Sequence, residues 1–240
     1  MTATARPYTP TRGKVKWMAR TATTANALLG LLALRREWTT WELTTQLRRN
    51  MRFFWPRAES RILAELKRLD GDGLVRTRRE AVGRRPRTVY TITAKGRRHL
   101  AEWIESPPRA TTLESEPLLR LMFGELGSRD AMHRALDQVA TDAQEILRVA
   151  GPIAAEYAAG TAPFQDQVHV RAFVFDYLAT HATGLLGWVQ RTRAALDEWP
   201  ALDEDERAAR AVARIVAGAA DLPPPAPGGD GPGRPAAPVR

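Results

Sequence analysis

Between residues 39 and 105 the apolar positions change their period twice. This double switch constrains the fold of the chain more than any other feature. Leu43 and Leu47 stand four apart, and Ile62, Leu66 and Leu69 recur at steps of four and three, the spacing of one helix face. Residues 74–80 and 88–92 read instead as two short strands, with Gly83 and Pro86 placing a turn over 81–87. Helical spacing returns over 94–105 with Leu100, Trp103 and Ile104. The boundary signals agree with these elements. Thr39-Thr40-Trp41-Glu42 fits a capping box that opens a helix through about Asn50. Pro56 suits the first turn of the next helix, which runs to about Asp70. Gly71-Asp72-Gly73 stops that helix, and Thr93 is an N-cap. Residues 22–34 form an earlier helix whose leucines leave almost no polar face, so it belongs at the centre of a core.

Three helices, a hairpin and a fourth helix is the order of a winged helix-turn-helix. The expected fold class is therefore mainly α, with a two-stranded wing over 21–105. An all-helical second domain spans 114–220, after a break at Ser106-Pro107-Pro108 that makes 106–113 a linker. Residues 1–20 read as a flexible basic arm, and the Pro/Gly-rich 221–240 as a disordered tail.

Charge separates the two halves. Residues 1–105 hold 23 Lys and Arg against 9 Asp and Glu; the rest holds 13 Arg against 18 acids. A genome-wide preference for Arg explains why only four residues are lysines, but not why the excess sits in one half. A polyanion is the expected partner of the N-terminal half. The absence of cysteine excludes disulfides, thiolate metal sites and Cys nucleophiles. His99, His133, His169 and His181 show no metal-ligand spacing, and no phosphate loop or nucleophile elbow occurs. An enzyme, a cofactor and a metal are not expected. The N-terminus lacks the apolar stretch of a secretory signal, and the longest apolar run, 27–34, is too short to span a bilayer, so the expected location is cytoplasmic.

In the helical domain, Met132, Leu136, Val139, Ala143, Ile146 and Ala150 form a heptad seam that Gly151-Pro152 is expected to end. A long helix over 164–199 carries apolar residues on two faces. Val168, Phe175, Leu186 and Val189 belong to one, and Leu178 and Trp188 to the other. Two faces need two partners, one of them a second subunit, which makes these six the expected dimerisation residues. Tyr157, His169, Tyr177, His181 and Trp188 are candidates for an effector cavity, against ordinary packing of each one singly.

Several stretches resemble the PadR-like family of transcriptional regulators. They are Leu28-Leu29-Gly30-Leu31-Leu32-Ala33 with Trp41-Glu42-Leu43, then Phe54-Trp55-Pro56 with Ser60 and Leu66-Lys67-Arg68-Leu69. Gly73-Leu74-Val75 follows, then Arg85-Pro86-Arg87-Thr88-Val89-Tyr90 with Ile92-Thr93 and Gly96. The resemblance covers about residues 25–105. It departs where the family usually has Gly-Tyr-Glu-Leu, here Thr40-Trp41-Glu42-Leu43, and where Leu63 replaces a usual tyrosine. The resemblance implies a homodimeric regulator, commonly a repressor, often released by a small molecule.

The third helix is the expected reader of double-stranded DNA. Arg57, Arg61 and Arg68 line one side of it, and Ser60 can meet a phosphate or a base edge. Arg84, Arg85 and Arg87 on the hairpin suit phosphates. The competing reading of both stripes is a solvated face. Trp38, Trp41 and Trp55 are expected in the core rather than stacking on bases. The rival functions are an architectural DNA-binding protein without site choice and a protein-interaction module that keeps the winged fold.

Overall fold

A computed structural model describes residues 15–56, 59–82 and 85–220. The elements run α1 (Val15–Leu34), β1 (Trp38–Thr39), α2 (Thr40–Met51), α3 (Glu59–Gly71), β2 (Val75–Val82), β3 (Arg85–Ile92) and α4 (Ala94–Glu105). They continue with α5 (Glu116–Met122), α6 (Arg129–Ala158), α7 (Val168–Glu198) and α8 (Glu204–Ala220). The chain packs as two compact units. One holds the described residues up to Glu114 together with Ile146–Thr180. The other holds Ser115–Glu145 with the described residues from His181 onward.

The first unit contains the winged helix. Leu28, Leu29 and Leu32 of α1 are fully buried with Leu43, Leu66 and Leu69, as the leucine-rich C-terminal part of α1 requires. The sheet has three strands in the order β1-β3-β2, all antiparallel. The third strand is the two-residue β1, which pairs Trp38 with Tyr90 and Thr39 with Val89. Two residues are too few to show a period of two, so the sequence predicts only two strands. The hairpin also reaches further than its turn residues suggest, up to the pair Val82–Arg85. Pro86 lies within β3 opposite Ala81, at a level where β1 does not pair with β3, so its missing N–H breaks no bond on that side.

The capping signals are realised. The Thr39 N–H donates to Glu42 Oε2 at 2.7 Å, and the Glu42 N–H donates to Thr39 Oγ1 at 3.3 Å. Burial alone pushes the Glu42 carboxyl up. The hydrogen bonds from Thr39, together with Arg35 at 2.7 Å, outweigh it and hold the group below its ordinary range. Gly73, at φ +69, ends α3 in a Schellman turn: the Leu74 N–H donates to the Leu69 carbonyl at 2.9 Å, and the Gly73 N–H to that of Asp70 at 3.0 Å.

Some expectations are corrected. The helix α1 begins at Val15, so 15–20 are helical rather than part of an arm; 1–14 and 221–240 lie outside the described residues. Pro56 precedes α3 instead of entering it. Trp38 is 2% exposed and Trp55 half-buried, but Trp41 is 73% exposed, on the first turn of α2. Pro152 does not end α6, which continues to Ala158 and closes on Gly160, at φ +71. Gly151, Pro152 and Arg148 all face solvent, so the proline sits on the outer side of the helix, where it is tolerated.

In the second unit, Met132, Leu136 and Val139 of α6 pack on Val189 and Leu196 of α7, with Trp188 and Trp199 against them. Val189 is 3% exposed, and its place is inside the chain's own core. Trp188 and Leu186 are half-buried, as are Phe175 and Leu178 of the first unit, and Val168 is exposed. The exposed apolar stripe of α7 is instead Val170, Phe173, Val174 and Tyr177. No described helix is long and apolar enough to cross a membrane, and no described cluster of His, Asp and Glu could hold a metal ion.

Candidate nucleic-acid interface

The exposed side of α3 carries Ser60, Arg61, Ala64, Lys67 and Arg68. The opposite side, Ile62, Leu66 and Leu69, is locked in the core. A helix fixed in this way presents its outer side chains from a rigid base, as groove reading requires. Asp70 ties the end of α3 to the wing, since its carboxylate accepts the Thr77 N–H at 3.1 Å and the Thr77 hydroxyl at 3.0 Å.

The arginines in this region divide into committed and uncommitted groups. Arg68 donates Nε to Glu65 at 3.0 Å and Nη1 to Asp72 at 2.7 Å. Glu65 is 5% exposed, and a buried carboxylate without a counter-charge is strongly unfavourable. The hydrogen bond to Glu65 raises the already high Arg68 pKa further. The guanidinium of Arg68 is thus occupied in compensating Glu65, which the stripe pattern cannot show. Arg61 has no ion pair among the described residues. On the wing, Arg87 grips Glu80 at 2.8 and 2.7 Å, and Arg78 bridges Glu80 and Glu37. Arg87 foremost, then Arg78, holds the Glu80 carboxyl below its usual range. Arg76 and Arg79 are exposed on the same strand; they are further wing cations, which the density of arginine at 76, 78 and 79 could have revealed. Arg85 lies in β3, and Arg57 and Arg84 lie outside the described residues.

A second feature of the first unit is a cavity of about 380 Å³. Leu31, Leu34, Met51, Leu100, Trp55 and Trp103 give it an apolar lining, and Asn26, Asn50 and Arg171 add polar groups. Asn26 is 2% exposed, and its Oδ1 has no hydrogen-bond partner; the buried Arg171 Nε likewise has none. Arg171 Nη1 donates to Asn50 Oδ1 at 3.2 Å, and the guanidinium lies 4.5 Å from the centre of the Phe164 ring. Tyr157, His169, Tyr177, His181 and Trp188 do not line this cavity. Arg171 could not be singled out in the sequence, because its importance comes from a contact across more than a hundred residues.

Residues 28–102 match the model of the family described as "Transcriptional regulator PadR-like family". The chain is 30% identical over 99 residues to the negative transcriptional regulator PadR of Bacillus subtilis, a match that spans 40% of this chain and 54% of that protein. Its structure is similar to that of Bacillus subtilis PadR in complex with operator DNA, with a TM-score of 0.60 and 21% identity over 72% of this chain and 99% of the other. It is also similar to Bacillus subtilis PadR in complex with p-coumaric acid, with a TM-score of 0.57 and 22% identity over 72% and 98% of the two chains. At these identities the structural likeness speaks for the fold. The end of α1, the capped α2, the anchored α3 and the basic hairpin all fall within the matched residues, so over residues 28–102 the winged helix of this chain is similar to the PadR-like family of transcriptional regulators.

Proposed function

We propose that the chain is a sequence-specific transcriptional repressor that binds a palindromic operator as a homodimer in the cytoplasm. The observation that carries this reading is the pairing of the uncommitted Arg61, beside Ser60 on a rigid α3, with a wing rich in arginine. In this reading Arg61 and Ser60 enter the major groove, and Arg87 with its neighbours on the wing meets phosphates. Selection of bound duplexes from a random pool tests the proposal. A two-fold consensus is expected, with half-sites about one helical turn apart, near 34–36 Å. Enrichment of no sequence, with equal affinity for every duplex, favours an architectural protein. No binding even at low salt favours a protein-interaction module.

The cavity beside α1 supports a small-molecule effector, a flat apolar acid whose carboxylate pairs with Arg171 and takes it from Asn50. With p-coumaric acid as the probe, operator affinity of the wild type should fall at least about tenfold, whereas in Arg171→Met the ratio of operator affinities with and without the acid should stay near one, whatever the basal affinity of the variant. An Arg171→Met protein that responds like the wild type places the effector elsewhere.

A further inference from the structure

α5 and α8 belong to the same unit, and each leaves an apolar stripe uncovered. On α8, Ala208, Val212, Ile215, Val216 and Ala219 recur at helical spacing. No residue of this helix is buried, and the three large ones are 60–70% exposed. It is tied to the rest of its unit through polar groups: Arg210 pairs with Glu198, and Arg214 donates to the Arg191 carbonyl at 3.2 Å. A 17-residue helix without a buried face is marginal in water, so this stripe calls for a cover. On α5, Leu118, Leu119, Met122 and Phe123 form a second stripe that Leu126 extends, with exposure from 37% at Leu118 to 89% at Leu126. Within one copy the two stripes do not cover each other.

We propose that they meet between two copies: α8 of each copy lies on α5 of the other. The proposal rests on the homodimer reading above and assigns the segments that hold the two copies together. Three observations favour a second copy as the occupant. The first is symmetry, because a two-fold exchange covers both stripes on both copies. The second is area. At about 180 Å² for a fully exposed large apolar side chain, the stripes offer roughly 900 Å² per copy, against about 800 Å² per partner in a standard interface. The third is charge. From Arg207 onward α8 carries Arg207, Arg210 and Arg214 and no acid, whereas 114–126 carries Glu114, Glu116 and Glu125 against Arg120 alone.

The chain has no cysteine, so introduced thiols report cleanly. Leu119→Cys and Ile215→Cys should each give no covalent dimer alone under mild oxidation. Co-expressed with different tags, they should give a disulfide-linked heterodimer. Ile215→Glu should raise the dimer dissociation constant about a hundredfold. The core of Leu136, Val189 and Leu196 in the same unit should stay folded, because the position is exposed and does not belong to it. A linked dimer from Ile215→Cys alone means that α8 meets α8, and an intrachain bond in a chain carrying both Leu119→Cys and Ile215→Cys means that the stripes meet within one copy; either overturns the proposal. Sedimentation of the unmodified chain separates the two levels. A monomer there overturns the homodimer reading along with this one, whereas a dimer whose mixed thiols never link overturns only the exchange.

Discussion

Gly96→Ala should lower the stability of the winged helix by about 3 kcal/mol or more, the largest effect expected here from adding a single methyl group. A Cβ at Gly96 would stand 2.1 Å from the Leu74 carbonyl oxygen and 2.9 Å from Ile92 Cγ1. The first of these neighbours is backbone and cannot swing aside. It is fixed from both directions: the Thr93 N–H donates to that same carbonyl at 3.0 Å, and Leu74 closes the Schellman turn of α3 through its own N–H. The first turn of α4 is therefore seated on the junction between α3 and β2, and only glycine leaves room for it. At roughly 2–4 °C per kcal/mol for a chain of this size, thermal unfolding of the variant should fall by about 10 °C. Gly184→Ala is the matched control. It lies within α7 with nothing within 4 Å of the added carbon, so it should be neutral or stabilising by up to about 1 kcal/mol. Urea titrations of both variants make the comparison. Gly96→Ala within about 1 kcal/mol of the wild type would mean that the seat yields and the contact is not a constraint.

Arg61→Ala should cut the ratio of operator to scrambled-DNA affinity by about 10–100-fold, the loss of one base contact worth about 1–3 kcal/mol. Arg87→Ala should weaken operator and scrambled DNA alike and lower the slope of log affinity against log salt by about one unit. The difference follows from where the two cations sit. Arg61 is uncommitted on the outer side of α3, while Arg87 lies on the wing strand and is held along the sheet by Glu80. A phosphate that draws Arg87 away leaves Glu80 with Arg78, so the exchange of partners costs less than the loss of a lone ion pair. Titrations of both variants on the two duplexes at several salt concentrations measure ratio and slope together. Should Arg87→Ala be the variant that erases discrimination, the wing reads sequence and the two roles are exchanged. Should neither alter binding, the basic surface is solvated and the proposed docking fails.

The legible parts of this fold are those encoded by neighbours in sequence. Thr39 and Glu42, Thr93, and Gly73 each satisfy backbone groups within a few residues, and their helix ends fall where the sequence places them. Elements that depend on distant partners were hidden. The strand β1 exists only because Tyr90 and Val89 come alongside it. The burial of Trp38 and the exposure of Trp41 depend on which face of one turn meets the sheet, and composition cannot tell the two apart. The same limit applies to the interface. The stripe Arg61–Arg68 was visible, but the buried Glu65 that occupies Arg68 is identified only by its surroundings. The apolar richness of α7 was visible too. Which of its residues the chain keeps for itself, Val189 above all, was decided by the packing of α6.

The connection between α6 and α7 contains Phe164 at φ +61 and ψ +43, the one described residue other than glycine with a left-handed backbone. For a side chain of this size such a backbone is unfavourable by about 1–2 kcal/mol, and it persists only because the ring is held. Trp38 lies 5.9 Å from it and Arg171 stacks on it at 4.5 Å. Nearby, Arg49 pairs with Glu156, and Asn50 accepts from Arg171, so the last turn of α2 is gripped by the same connection. This joint resembles a sprung catch more than a passive link. Lifting the ring from Trp38 recovers the backbone cost, which makes this connection one of the easiest places in the first unit for local opening to begin. Amide protons near 160–167 should therefore exchange with solvent earlier than those of the α1 core. Anything that loosens the hold of Arg171 would be felt at the end of α2, the helix that precedes α3.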